Sequence, residues 1–281
     1  MKIGVIDVGG GFRGVYAAGV FDRCLDDKVR FDYCIGVSAG SANAASFLGG
    51  QKGRNYTFYT EYGKRRKYMS LGNFIFRRSY IDLDYVYGTL SNSDGENPLN
   101  YSAILENPAE LEVVATDAAD GGAIYFQKSD LSQDAYDIFK ASSAIPLVCH
   151  PYPVRGRLYF DGAVSDPVPV KRALERGCGK VVLILTKPAD TVRSPERDRK
   201  LAGMLKRKYP KIAEGLSLRA ERYNQGVALA RQLEREGRAL IIAPETTDGA
   251  DTLTRDKEIL DRFYRRGYRD GGRIREFVQR P

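Results

Sequence analysis

Apolar and polar positions along the chain alternate between strand-like and helix-like periods from the first residues. Lys2-Ile3-Gly4-Val5-Ile6-Asp7-Val8 is a β-branched run that reads as a strand, and it passes into the loop Gly9-Gly10-Gly11-Phe12-Arg13-Gly14. Residues 15–25 have helical composition and 31–36 supply the next strand. Two strands joined through a helix begin a βαβ unit, which argues for a parallel sheet with sites at the carboxyl ends of its strands. Residues 41–50 continue as a helix of small residues. Strands follow at 111–116 and 123–126, joined by the turn residues Asp120-Gly121-Gly122. A helix is predicted over 132–143, and a strand at 157–160 that leads into Asp161-Gly162-Ala163. Lys180-Val181-Val182-Leu183-Ile184-Leu185-Thr186 is the most strand-like segment and is expected at the centre of the sheet. Residues 195–238 are long, helical and basic, broken at Pro210, and a last strand at 239–243 precedes a helical stretch over 254–279. No repeat, low-complexity tract or linker interrupts this order. The expectation is a single domain over 1–281, with 187–281 packing on the same unit.

Two stretches in this pattern carry chemistry. The apolar run Tyr33-Cys34-Ile35 ends in Gly36-Val37-Ser38-Ala39-Gly40, followed by small, helix-compatible residues. That order suits a strand, a sharp turn and a helix with Ser38 at the apex, its hydroxyl exposed to the positive end of the helix. The Gly9–Gly14 loop fits the dinucleotide pattern G-x-G-x-x-G, but the second strand ends in Gly-Val-Ser where that reading needs an acid. Its glycine amides can instead converge on an anion, as an oxyanion hole does, or simply make a tight turn. A serine nucleophile needs a base, and the chain has one histidine, His150, set among prolines without strand-end placement. A carboxylate is left as the candidate. Asp161 ends an apolar strand before a glycine, placed either to project into a site or to form an Asp-Gly turn.

Composition narrows the partners. The chain has 281 residues, 43% hydrophobic and 28% charged, as a folded globular protein does, and carries a net charge of +8. That excess favours an anionic partner or plain solubility. It is concentrated in residues 52–80, where Lys52, Arg54, Lys64, Arg65, Arg66, Lys67, Arg77 and Arg78 stand against Glu61, interleaved with aromatics from Tyr56 to Tyr80. Such a segment binds anionic lipid headgroups or nucleic acid, or is a surface helix pair with its aromatics in the core. No nucleic-acid motif accompanies it, so no nucleic-acid partner is expected. The four cysteines are scattered, with Cys24, Cys34 and Cys149 in apolar surroundings, which reads as a reducing compartment. One histidine and scattered cysteines make no metal ligand set, so no metal is expected. Neither a leader peptide nor a membrane span is visible, and the expected location is cytoplasmic, with peripheral membrane contact at most.

Gly9-Gly10-Gly11-Phe12-Arg13-Gly14, Gly36-Val37-Ser38-Ala39-Gly40 and Asp161-Gly162-Ala163, in this order, resemble the three signature motifs of the patatin-like phospholipases. Ala141-Ser142-Ser143-Ala144-Ile145-Pro146 and Pro167-Val168-Pro169 are similar to that family as well. The resemblance implies an α/β fold, a three-layer α/β/α sandwich with a central, mostly parallel sheet. It implies hydrolysis of phospholipid or other acyl esters by a Ser-Asp dyad, with Ser38 as nucleophile and Asp161 as general base. The amides of Gly10 and Gly11 would form the oxyanion hole, with Gly9 shaping the turn, Arg13 holding the loop or adding positive charge, and Gly14 closing the motif. Gly36, Gly40, Gly162 and Ala163 would support these motifs, and no metal or other cofactor is implied. The motifs leave two alternatives: a transacylase or thioesterase using the same dyad, and a non-catalytic anion- or nucleotide-binding module.

Overall fold

A computed structural model describes residues 1–280 of the chain. Eight strands form one sheet: β1 (Ile3–Asp7), β2 (Tyr33–Val37), β3 (Glu110–Asp117), β4 (Ala123–Gln127), β5 (Tyr152–Val154), β6 (Arg157–Asp161), β7 (Lys180–Ile184) and β8 (Ala239–Ile242). The pairs β1–β2, β1–β7, β2–β3 and β7–β8 are parallel, whereas β3–β4, β3–β6 and β5–β6 are antiparallel. The helices named below are α1 (Val15–Asp26), α2 (Ala39–Leu48), α3 (Arg54–Thr60), α4 (Leu71–Arg77), α5 (Tyr101–Glu106), α6 (Asp137–Ser142), α7 (Val170–Glu175), α8 (Glu196–Leu205), α9 (Pro210–Arg235), α10 (Lys257–Asp270) and α11 (Arg273–Gln279).

Helices cover both faces of the sheet, which explains why its parallel strands are mostly apolar. Successive residues of β7 serve opposite cores: Val182 and Ile184 pack with α1, α2 and α10, while Val181 and Leu183 pack with α7 and α9. β7 lies between β1 and β8, one strand in from the edge and not at the centre as its apolarity suggested. The expected helix over 132–143 is confined to α6. Asp134 takes a positive φ of 62°, and its carboxylate receives the backbone N–H and hydroxyl of Ser93, so the chain cannot turn helical before it. The stretch over 254–279 divides into α10 and α11 at Gly271-Gly272. Pro210 is the first residue of α9, where its missing N–H costs nothing. β8 extends the sheet beside β7, and α10 lies across α1 with the Tyr16 and Phe263 rings 5.2 Å apart.

The register of β3 brings two distant segments together. Its edge away from β4 is shared, because β2 takes residues up to Val114 and β6 takes residues from Ala115 onward. Val37, the last residue of β2, pairs with Val114, and Asp161, the last residue of β6, pairs with Ala115. The two strands run toward each other along the same edge and end face to face. Ser38 and Asp161 are thereby placed at the junction.

Candidate active site

Ser38 sits at φ 57° and ψ −130°, a conformation rarely open to a residue with a side chain. Four contacts keep it there. Its amide donates to Ser142 Oγ at 2.9 Å, and Ser142 Oγ in turn donates to the Val114 carbonyl at 2.6 Å. Its carbonyl accepts from the Ser41 amide at 3.0 Å and the Ser41 hydroxyl at 2.6 Å. The flanking glycines are required by close approach: a Cβ on Gly36 would stand 2.4 Å from Ser41 Cα, and one on Gly40 would stand 2.4 Å from the Asp7 carbonyl oxygen.

The Asp161 carboxylate is buried, with the Ser38 side chain as its polar neighbour. Burial pushes its pKa above the usual carboxylate range, and the Ser38 side chain and the bond from the Ala163 amide, 2.8 Å away, offset part of that rise. The backbone of Asp161 is fixed on both sides: its amide donates to the Ala144 carbonyl at 2.9 Å, and its carbonyl accepts from Thr116 Oγ1 at 2.9 Å. Gly162 follows because a Cβ there would lie 2.3 Å from the Val114 carbonyl oxygen.

Gly9, Gly10 and Gly11 all have positive φ, of 66°, 124° and 61°. The three do not serve alike. The Gly9 amide is spent on Asp7 Oδ1 at 2.9 Å and its carbonyl on Thr186 Oγ1 at 2.6 Å, so this residue anchors the loop and offers no donor to a ligand. Gly10 and Gly11 keep amides without a protein acceptor among the described residues, and the Ala39 amide, the first of α2, is in the same condition. Gly14 gives its carbonyl to Asn43 Nδ2 at 3.0 Å. The Arg13 guanidinium lies against Gly10, where a Cβ would stand 3.3 Å from Nη2, and donates to Asp251 Oδ1 at 2.9 Å and Thr252 Oγ1 at 3.0 Å, while the Phe12 amide donates to the Thr252 carbonyl at 3.0 Å. A loop from the far end of the chain thus clasps the glycine turn.

Asp7 and Asn43 are site residues that the sequence did not single out. Asp7 is fully buried beneath both glycine motifs, where it accepts from the Gly9 amide and from Asn43 Nδ2, each at 2.9 Å. Its pKa is pushed up to about 6 by burial, against the lowering effect of those two bonds. The nearest signal is an acid closing the first strand one residue before a glycine run. Ser142 stood inside the segment resembling the family, without an assigned role.

A cavity of about 70 Å³ opens beside Ser38, walled mainly by Phe12, Phe58, Tyr59, Tyr68, Ile81, Leu83, Val86, Tyr87 and Ile145. Arg54 lies in this wall, buried against the Phe58 ring at 4.5 Å and bonded to Ser46, Ser91 and the Asn97 carbonyl, and burial lowers its pKa to about 10. His150 is not part of the wall; it is exposed and its Nδ1 pairs with Ser79 Oγ at 2.6 Å. Among the described residues no group of His, Cys, Asp or Glu side chains has the arrangement of a metal site. All four cysteines are buried thiols.

Sheet, covering layers and serine turn together define an α/β protein with its candidate site at the carboxyl edge of the sheet. The patatin-like phospholipase model matches residues 8–174, more than half of the chain, and the chain belongs to that family. A second family model, of a domain of unknown function (DUF6363), matches residues 209–279. The uncharacterized protein YjjU of Escherichia coli is 28% identical over 197 residues, which covers 69% of this chain and 55% of that protein. The chain therefore spans about half the length of this curated relative. An uncharacterized NTE family protein of Mycobacterium tuberculosis is 43% identical over 68 residues, covering 24% of this chain and 18% of that protein. Among solved structures, VipD from Legionella pneumophila matches with a TM-score of 0.51 at 14% identity, covering 98% of this chain and 66% of that one. That likeness concerns the fold.

Proposed function

We propose that the chain is a lipid acyl hydrolase, a phospholipase A-type serine esterase working through a Ser38–Asp161 dyad. The observation that carries this reading is the meeting of Ser38, strained at the end of β2, with the buried carboxylate at the end of β6, beside an apolar cavity. Asp161 takes the Ser38 proton as Ser38 Oγ attacks an ester carbonyl. The raised pKa of Asp161 makes it a stronger base than a solvated carboxylate. The Gly10 and Gly11 amides receive the developing oxyanion, with the Ala39 amide alongside; one such donor contributes about 10²–10³ in rate. Asp161 then gives that proton to the departing alkoxide, which leaves as the alcohol, and an acyl-enzyme remains on Ser38; Asp161 next takes a proton from the attacking water and returns it to Ser38 Oγ as the fatty acid departs. The same reading treats the chain as a single catalytic domain, since the clasp on Arg13 comes from the loop before α10. It places contact with an anionic lipid surface on the basic segment 52–80.

The test is a panel of phospholipids and p-nitrophenyl esters on wild type, Ser38→Ala and Asp161→Asn, with fluorophosphonate labelling of each. Both variants are expected to remain folded and lose ester hydrolysis, and label is expected on Ser38 alone. Hydrolysis retained by purified Ser38→Ala would overturn the proposal.

A further inference from the structure

Residues 71–78 leave the body of the protein as a closed excursion, held at its return by the Tyr80 amide on the Val148 carbonyl. Met69 and Ile81 form an antiparallel bridge at its base, and the Ser70 amide donates to the Tyr80 carbonyl at 3.1 Å. Between these lies α4, started by Ser70, whose Oγ accepts from the Asn73 amide at 3.1 Å. Its apolar residues do not meet the core. Leu71 is 72% exposed, Ile75 71% and Phe76 87%, and Phe74 is also exposed. Leu71, Phe74 and Ile75 stand at i, i+3 and i+4, the spacing of one helix face. On a water-facing helix that face is normally polar, so an apolar one marks an interaction surface.

Its occupant is indicated by the charge around it. Lys64, Arg66, Lys67 and Arg78 are exposed on the segments flanking α4, and none has a carboxylate within ion-pairing distance among the described residues. The neighbouring Arg65 is already paired with Glu96, and Glu61 with Lys257. An apolar helix face bordered by uncompensated cations matches an anionic bilayer, with acyl chains beneath and negative headgroups above. The base of the excursion matches too, since Tyr68 and Ile81, on either side of it, are walls of the cavity beside Ser38.

We propose that α4 is a membrane anchor. Leu71, Phe74, Ile75 and Phe76 enter the acyl boundary of an anionic membrane while Lys64, Arg66, Lys67 and Arg78 engage its headgroups, setting the Ser38 cavity at the lipid surface. No helix among the described residues is long and apolar enough to cross a membrane, so the contact is interfacial. The role of the anchor in delivering substrate rests on the hydrolase reading; the binding itself does not.

The experiment is flotation of the whole chain with vesicles of phosphatidylcholine alone and of equal parts phosphatidylcholine and phosphatidylglycerol. It compares wild type, Leu71→Ser/Ile75→Ser/Phe76→Ser and Lys64→Glu/Lys67→Glu, with Ser38→Ala as the catalytically silent control. Wild type and Ser38→Ala are expected to float with the anionic vesicles. The serine variant is expected to lose at least about tenfold in partitioning to them. Each cation is expected to contribute about fivefold, weakened by added salt. Turnover of a short-chain p-nitrophenyl ester should match wild type in both surface variants, which separates the anchor from the dyad. Wild type that fails to float with anionic vesicles, or a serine variant that floats as well as wild type, overturns the proposal. So does wild type that self-associates through this face, seen as a dimer in sedimentation that the serine variant lacks, without vesicle binding.

Discussion

Ser142→Ala isolates what holds the serine turn in its strained form. Ser142 is fully buried, receives the Ser38 amide at 2.9 Å and donates to the Val114 carbonyl at 2.6 Å. Alanine fits the same space and removes both bonds. The Ser38 amide then has no partner in a site closed to bulk water, and a buried polar group left unpaired costs about 1–3 kcal/mol. The Val114 carbonyl loses one of its donors, a smaller effect because a carbonyl has a second lone pair. Ser38 already stores strain of about 1–3 kcal/mol in its backbone, so losing its anchor lets the turn relax where its neighbours allow. A net destabilisation of about 2 kcal/mol is expected, lowering Tm by about 3–4 °C for a chain of this size. A nucleophile displaced by a fraction of an ångström should lose about 10- to 100-fold in kcat on a p-nitrophenyl ester. Thermal and urea unfolding measure the first effect, steady-state kinetics the second. Ser143→Ala is the control: Ser143 Oγ meets only the Tyr87 hydroxyl, at 3.0 Å, and its loss should cost less on both counts. Ser142→Ala with wild-type unfolding and wild-type kcat would refute the assignment of Ser142 as the anchor of the turn.

Three further outcomes come from the charged groups around the site. Asp161 must be ionised to act as a base, and its pKa is raised by burial, so kcat/KM should fall on the acid side at a pH above the ordinary carboxylate value of 3.8. Stability moves the other way at Asp7, whose folded-state pKa of about 6 exceeds that ordinary value. The folded state binds the Asp7 proton more tightly, so the stability it confers is present below pH 3.8 and is lost as pH rises through about 6; in Asp7→Asn, urea unfolding across this window should lack that component, roughly 3 kcal/mol at most. Asp251→Asn should loosen the clasp on Arg13. Because Asp251 is largely exposed, unfolding should change by less than about 1 kcal/mol, whereas turnover should fall several-fold if the glycine loop depends on this bond; unchanged kinetics would show that Thr252 suffices.

The sequence by itself determined what the chain does locally. Glycine runs, β-branched stretches and the Asp-Gly step after β6 are constrained by their own backbone geometry, so the strands, the serine turn and the glycine loop could be read in order without knowing their neighbours. It could not sort the aromatics of 52–80. Phe58, Tyr59, Tyr62 and Tyr68 are core, while Phe74 and Phe76 face water, and burial depends on what packs opposite. The partners of the site were likewise decided only by the tertiary structure. Ser38 and Ser142 lie 104 residues apart and Arg13 and Asp251 238 apart, and no local period links such positions. Asp7 looked like the end of a strand until α2 placed Asn43 over it. The meeting of Ser38 with Asp161 was legible only as a family likeness. Its physical cause is the register of β3, whose one edge carries β2 as far as Val114 and β6 from Ala115, a matter of strand pairing that short motifs do not encode.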